Sequence, residues 1–291
     1  MTVGLVFFMG LRMFSLWAGV VAALVSAIYV PLLEINQSLL SENMFTFFVT
    51  VSAILSYFIY RRPSWKLAVG MGLAMGLATL ARPTTIALPV FLLAGVWLMK
   101  REVKSVFPWL LACLVFFLVL APWTIRNYIV FHEFVPTAYG GGAVLWAGND
   151  PRTDGWWKPD WPEWEPIIGK ARNVLERDRL LTRDAIRRME AHPKETIILW
   201  VKKLNRLWAS KVVPDQVFVV FGLVTLFLTW RRFLPIFLII LYFIVIHMVT
   251  YAIPRYRMPV MPVVFVFAAW GLLQLWQAIR RESSAGRVES N

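Results

Sequence analysis

Arg255-Tyr256-Arg257, bracketed by Pro254 and Pro259, sets two guanidiniums at the junction of two strongly apolar stretches, 233–253 and 258–279. Each stretch is about long enough to cross a bilayer, so the arginines should fall at a membrane face. The fixed fork of donors on a guanidinium suits phosphate oxygens. Spaced by one residue, Arg255 and Arg257 are expected on the same side of an extended turn, which the neighbouring prolines favour. Glu34, Glu42, Arg82, Arg126 and Asn127 come to the same face from turns far apart in the chain. The chemistry available to such a set is phosphate binding by the arginines, with a carboxylate to manage a proton, as transfer from a phosphate leaving group requires. The plainer alternative is that each arginine reaches to lipid headgroups or closes a helix end. Ser41-Glu42 equally suits an N-terminal cap.

The elements that must position these residues are apolar. With 59% hydrophobic and only 16% charged residues, too little polar surface remains for a water-soluble fold. The expected fold is an all-α, polytopic transmembrane bundle. Apolar runs predict helices at 14–33, 44–60, 67–81, 84–99, 106–123, 217–230, 233–253 and 258–279, and 3–10 reads as the tail of another helix. This gives about eight helices plus an N-terminal stub. Four regions follow: transmembrane helices over 1–126, a small extracytoplasmic insertion over 127–214, further transmembrane helices over 215–281, and a cytoplasmic tail over 282–291. Gly70, Gly72 and Gly76 are expected to let one helix approach a neighbour closely.

A net charge of +13 would suit a nucleic-acid partner, but the basic residues sit in short clusters between apolar runs, and nucleic acid is excluded on that distribution. With Arg12 in the cytoplasm and the sides alternating, Arg61, Arg62, Lys66, Lys100, Arg101, Lys104, Arg231, Arg232, Arg280, Arg281 and Arg287 share its side. The long insertion then lies outside, in a bacterial-type cytoplasmic membrane. Within it, Gly140-Gly141-Gly142 and Asn149-Asp150-Pro151 are turn signals, and 156–166 reads as irregular loop. Residues 170–191 form an amphipathic helix. A second, over 197–208, sets Leu199, Leu204 and Trp208 against Lys202, Lys203 and Arg206, suited to the headgroup plane. Trp146, Trp156, Trp157, Trp161 and Trp164 suit either sugar stacking or an interfacial belt. Cys113 reads as a small buried hydrophobe. His132, His192 and His247 lack metal-ligand spacing; no cofactor motif is present, and a divalent-metal requirement stays open with no ligand named for it.

The run Pro122-Trp123-Thr124-Ile125-Arg126-Asn127-Tyr128, then Phe134-Val135-Pro136, Gly141-Gly142 and Gly148-Asn149-Asp150-Pro151, resembles bacterial family 39-like glycosyltransferases of the GT-C class. Ser41-Glu42, the stretch Gly76 to Pro83, His192-Pro193 and Arg255-Tyr256-Arg257-Met258-Pro259 with Pro262 sit in the same order, so the resemblance spans nearly the whole chain. It implies an integral-membrane enzyme that takes a sugar from a polyprenyl-phosphate carrier and passes it to a lipid, glycan or protein acceptor on the extracytoplasmic face, without a nucleotide sugar. It further implies an inverting displacement with a carboxylate as base. The candidate phosphate-binding set is Arg82, Arg126, Asn127, Arg255, Tyr256 and Arg257, with Glu42 as candidate catalytic carboxylate. Members of the family normally begin with a further helix and a loop carrying an acidic catalytic residue. This chain starts inside what would be the following helix, so an N-terminal truncation is expected, or else substitution by Glu42 or Glu34. The alternatives are an anionic-lipid transporter or flippase, which requires polar residues deep in the spans, and a non-catalytic membrane subunit. Sugar, acceptor, stereochemistry and oligomeric state are left open by the sequence.

Overall fold

The computed structural model describes residues 1–37, 41–100, 103–150, 152, 165–209 and 213–288, and among these every regular element is helical. Arg101, Pro151 and the tryptophans at 156, 157, 161 and 164 lie outside the described residues. In chain order the helices are α1 (Thr2–Met13), α2 (Leu16–Ile28), α3 (Val30–Gln37), α4 (Glu42–Arg61), α5 (Trp65–Ala81), α6 (Leu88–Lys100), α7 (Val103–Phe131), α8 (Gly141–Gly148), α9 (Glu165–Ile168), α10 (Val174–Ala191), α11 (Pro193–Trp208), α12 (Val213–Leu228), α13 (Leu234–Val249) and α14 (Met261–Val288). Short 3-10 helices interrupt the path at Pro83–Thr85 and Pro254–Val260. Four segments, Glu42–Arg61, Pro83–Lys100, Val106–Phe131 and Pro254–Arg281, are long and apolar enough to cross a membrane, and five more apolar helices are shorter. The chain is a polytopic helical membrane bundle.

Prolines decide where the path bends. The stretch expected as one helix over 14–33 is divided: Ser15 caps α2 by accepting from the Ala18 amide at 3.2 Å, and the helix stops at Tyr29, whose backbone turns extended just before Val30-Pro31. Arg82, the residue before Pro83, closes α5 in extended conformation (φ −150°, ψ 123°). Ile253, before Pro254, does the same on entry to the second 3-10 helix (φ −133°, ψ 156°). Steric exclusion of the α region before proline accounts for both breaks. Conversely, α7 carries Pro108 and Pro122 inside it and runs on to Phe131, so Arg126 and Asn127 belong to a helix rather than to the start of a loop.

Packing is tight where side chains are small. A Cβ on Gly10 would run into the Gly19 backbone, joining α1 to α2, and Cβ atoms on Gly72 or Gly76 would meet Val115 or Val119 of α7. Gly70 has only ordinary contact with Leu55, so the expected close approach belongs to the other two glycines. Cys113 is buried in the core, as a small hydrophobe would be.

The Arg255-Tyr256-Arg257 segment folds as a 3-10 helix, not as an extended turn, and this separates its two guanidiniums. Arg257 turns inward and is 3% exposed. It donates to Asp215 at 2.5 Å, to the Trp208 and Ala209 carbonyls at 2.7 and 3.1 Å, and to the Tyr29 hydroxyl at 3.3 Å. Tyr29 in turn donates to Asp215 at 2.8 Å. One guanidinium therefore ties the α2–α3 break, the end of α11 and the start of α12 to the 3-10 helix. Removing one partner of a buried ion pair leaves the other uncompensated, at about 3–5 kcal/mol. Arg257→Met or Asp215→Ala is therefore expected to lower the unfolding midpoint markedly in an SDS titration, whereas a surface change such as Arg61→Met leaves it in place.

Candidate functional site

The ends of four elements and one loop enclose a cavity of about 660 Å³. Its charged part comes from Glu42 at the first position of α4, Arg82 at the end of α5 and Arg255 in the 3-10 helix; His247 near the end of α13 and Tyr256 line it beside them. Ile86, Pro136, Ala138, Val144 and Ile246 supply apolar wall. Glu42 is 3% exposed. Its Oε1 is ion-paired to Arg82 Nη1 and lies 3.2 Å from Arg255 Nε, so a single carboxylate oxygen sits between two guanidiniums. Ser41 makes no side-chain capping bond, and the Glu42 carboxylate is held by its own backbone amide as well as by the two arginines. The Arg82 guanidinium lies 5.3 Å from the Tyr256 ring centre, and that ring stacks on His247 at 5.1 Å. The side chain of Arg255 is 47% exposed and has room to turn toward a ligand.

The loop wall is fixed by the Trp-Thr-x-x-Asn face of α7. Trp123 donates to the Thr137 carbonyl at 2.7 Å, Thr124 to the Pro136 carbonyl at 2.8 Å, and Asn127 to the Val135 and Thr137 carbonyls, both at 3.0 Å. Asn127 is therefore buried structure behind the wall. Arg126 points outward, over the Trp123 ring at 5.3 Å, and donates to the Asn127 amide oxygen at 3.1 Å. Of the residues anticipated as a phosphate grip, the cavity brings together Arg82, Arg255 and Tyr256 with Glu42, while Arg126, Asn127 and Arg257 are spent elsewhere. Glu34 lies exposed on α3 and does not line the cavity.

Lys203 was expected on the polar face of its helix. It is instead 0% exposed, in line with the buried Leu199 and Leu207 at four-residue spacing. That spacing is the signal which could have placed it. Its ammonium donates to Asn149 Oδ1 at 3.1 Å and to the Val249 and Thr250 carbonyls at 3.4 and 3.0 Å. Asn149 Oδ1 also accepts from Trp200 at 3.1 Å, and its Nδ2 donates to Leu145 and Val249 at 2.8 and 2.7 Å. A side chain on Gly148 would collide with the Thr250 backbone. The Gly-Asn-Asp run thus braces α8 and α11 against the end of α13, where Thr250 lines the cavity. Trp146 is likewise a buried part of this layer, donating to Asp184 at 2.7 Å. Asp150 is buried too; burial raises its carboxyl, but bonds from Arg152 and the charge of Arg188 outweigh that and hold it below the ordinary carboxylate value. Among the described residues no three His, Cys, Asp or Glu side chains converge as metal ligands.

Residues 1–125 match the family model described as dolichyl-phosphate-mannose-protein mannosyltransferase. The match supports a GT-C glycosyltransferase-like family. It covers α1 to most of α7, including Glu42 and Arg82, and ends before Arg255. No curated protein and no solved structure matches the chain.

Burial, and then the Arg206 charge, bring the Lys203 ammonium down to about 7 from an ordinary 10.5. Between those two values the unfolded chain binds more protons than the native one, so the stability of the fold rises with pH across that window. Thermal unfolding in detergent at pH 6, 7.5 and 9 should show the wild type gaining on a Lys203→Met variant above pH 7, with no relative gain below it.

Proposed function

We propose that the chain is a membrane glycosyltransferase of the GT-C type that uses a polyprenyl-phosphate-linked sugar, with the carrier phosphate held between Arg82 and Arg255. The observation that carries this is the pair of guanidiniums brought from residues 82 and 255 to one carboxylate, inside a cavity whose remaining wall is largely apolar. A charged mouth on an apolar chamber suits a phosphate carried on a lipid. The family match points the same way, since its description names a dolichyl-phosphate sugar donor for that family. The acceptor lies on the extracytoplasmic side in this reading, with 127–214 on that face of the cytoplasmic membrane.

Two aromatic rings extend the binding surface. The Tyr256 ring has the Arg82 guanidinium 5.3 Å from its centre and stacks on His247 at 5.1 Å, so the two rings lie beside the phosphate position. Glu42 orients the two arginines, both of which meet its Oε1.

The transporter alternative calls for polar groups along a path through the spans. Of the buried helix hydroxyls, those of Thr50, Ser52, Ser56 and Thr79 donate to carbonyls of their own helices at 2.7 to 2.9 Å, and those of Ser26 and Thr46 have no hydrogen-bond partner among the described residues. Such back-bonded hydroxyls are satisfied locally and offer no relay.

Binding of a polyprenyl phosphate to purified protein in detergent tests the assignment. Arg82→Ala and Arg255→Ala are each expected to weaken it about tenfold, the worth of a charge-assisted hydrogen bond, while Arg126→Ala leaves it unchanged. Undiminished affinity in both cavity variants would overturn the proposed grip.

A further inference from the structure

The charged residues that line the cavity, among those described, are Arg82, Arg255 and Glu42; His247, Tyr139 and Tyr256 are the other titratable groups there. Two guanidiniums and one carboxylate leave a single net positive charge. Resting on the reading of the site as a carrier-phosphate grip, we infer that Glu42 is a charge counterweight that matches the cavity to a phosphodiester monoanion and sets it against the phosphomonoester dianion formed by the reaction.

The charge on the phosphate changes during the transfer. In the donor, the phosphate joins the lipid and the sugar and carries one negative charge. The acceptor's hydroxyl oxygen forms a bond to the anomeric carbon, its proton passing to a basic group or to water. The bond from the anomeric carbon to the phosphate oxygen breaks, and that oxygen keeps the electron pair. The carrier leaves as a monoester, whose second proton is lost with a pKa near 6, so at neutral pH the bound phosphate gains a second charge. The penalty for desolvating an ion grows as the square of its charge, while attraction to a fixed partner grows only linearly. With Glu42 present, the monoanion leaves the cavity neutral and the dianion leaves it one charge in excess.

Geometry supports the same role. Glu42 is 4% exposed at its side chain, whereas its partners Arg82 and Arg255 are 22% and 47% exposed. The carboxylate is the buried member and the guanidiniums the more exposed ones, so a ligand entering the cavity meets the arginines with the negative charge behind them. Without that charge the two arginines alone would match the dianion, and the spent carrier would be retained.

Farnesyl phosphate and its methyl diester, binding to the full chain in detergent at pH 7.5, separate the two charge states with the same lipid tail. Glu42→Gln removes the charge while keeping a hydrogen-bond acceptor for the arginines. The wild type is expected to hold the diester at least as tightly as the monoester. The Gln variant is expected to tighten the monoester about tenfold more than the diester. If Glu42→Gln shifts both probes equally, or neither, while Arg82→Ala still weakens both, the counterweight is overturned and the phosphate grip stands. If the wild type binds neither probe, the grip itself fails and the inference falls with it. Should Glu42→Gln not fold, the wild-type comparison decides alone: tighter binding of the monoester than of the diester overturns the inference.

Discussion

A buried carboxylate holding two cations from opposite ends of the chain is the constraint around which this bundle is arranged. Glu42 opens α4, Arg82 closes α5, and Arg255 sits in the 3-10 helix between α13 and α14. An ionised carboxylate withdrawn from water is tolerable only with such partners. The helices that carry them must therefore end at a common level, and the prolines at 83 and 254 stop the backbone where that happens. The cavity is the space left by these terminations.

Around that point a second set of polar anchors fixes everything the first does not. Arg257, one residue beyond Tyr256, faces the other way and gathers Tyr29, Asp215 and two backbone carbonyls. Lys203 and Asn149 bind the short amphipathic helices to the end of α13. These contacts share a design: a long polar side chain crosses a gap between layers and ends on backbone carbonyls, which remain available where a helix has just ended. The rim of the cavity is in this way held from behind, with its own charged groups left to one another.

Much of the architecture could be read from the amino-acid order because an apolar run of membrane length has few other fates. The runs at 44–60, 67–81 and 106–123 correspond to α4, α5 and most of α7. Errors came where proline acts in opposite senses: it divides 14–33 at Tyr29, yet Pro122 is absorbed within α7. The convergence of Glu42, Arg82 and Arg255 was legible as charge at one level of several apolar segments. The divergence of Arg257 was not, because its direction depends on whether Pro254–Val260 is extended or helical, and its partner Asp215 lies in a segment with no pattern of its own. Asn127 and Arg126 illustrate a related limit. Their run of residues is distinctive, but its use is to clamp the 135–137 backbone, which only the fold reveals.

The contact of Gly148 with the backbone of Thr250 has a mechanical consequence. With no room for even a methyl group between these strands of chain, and Asn149 making four bonds beside it, the joint cannot serve as a pivot. Room is left at Gly140 and Gly141, where no neighbouring atom approaches the Cβ positions and Gly140 has a φ of +107° that few other residues adopt. The Gly140–Gly141 corner of the chamber wall is therefore loosely packed, whereas the Gly148 joint beside Thr250 is filled to contact.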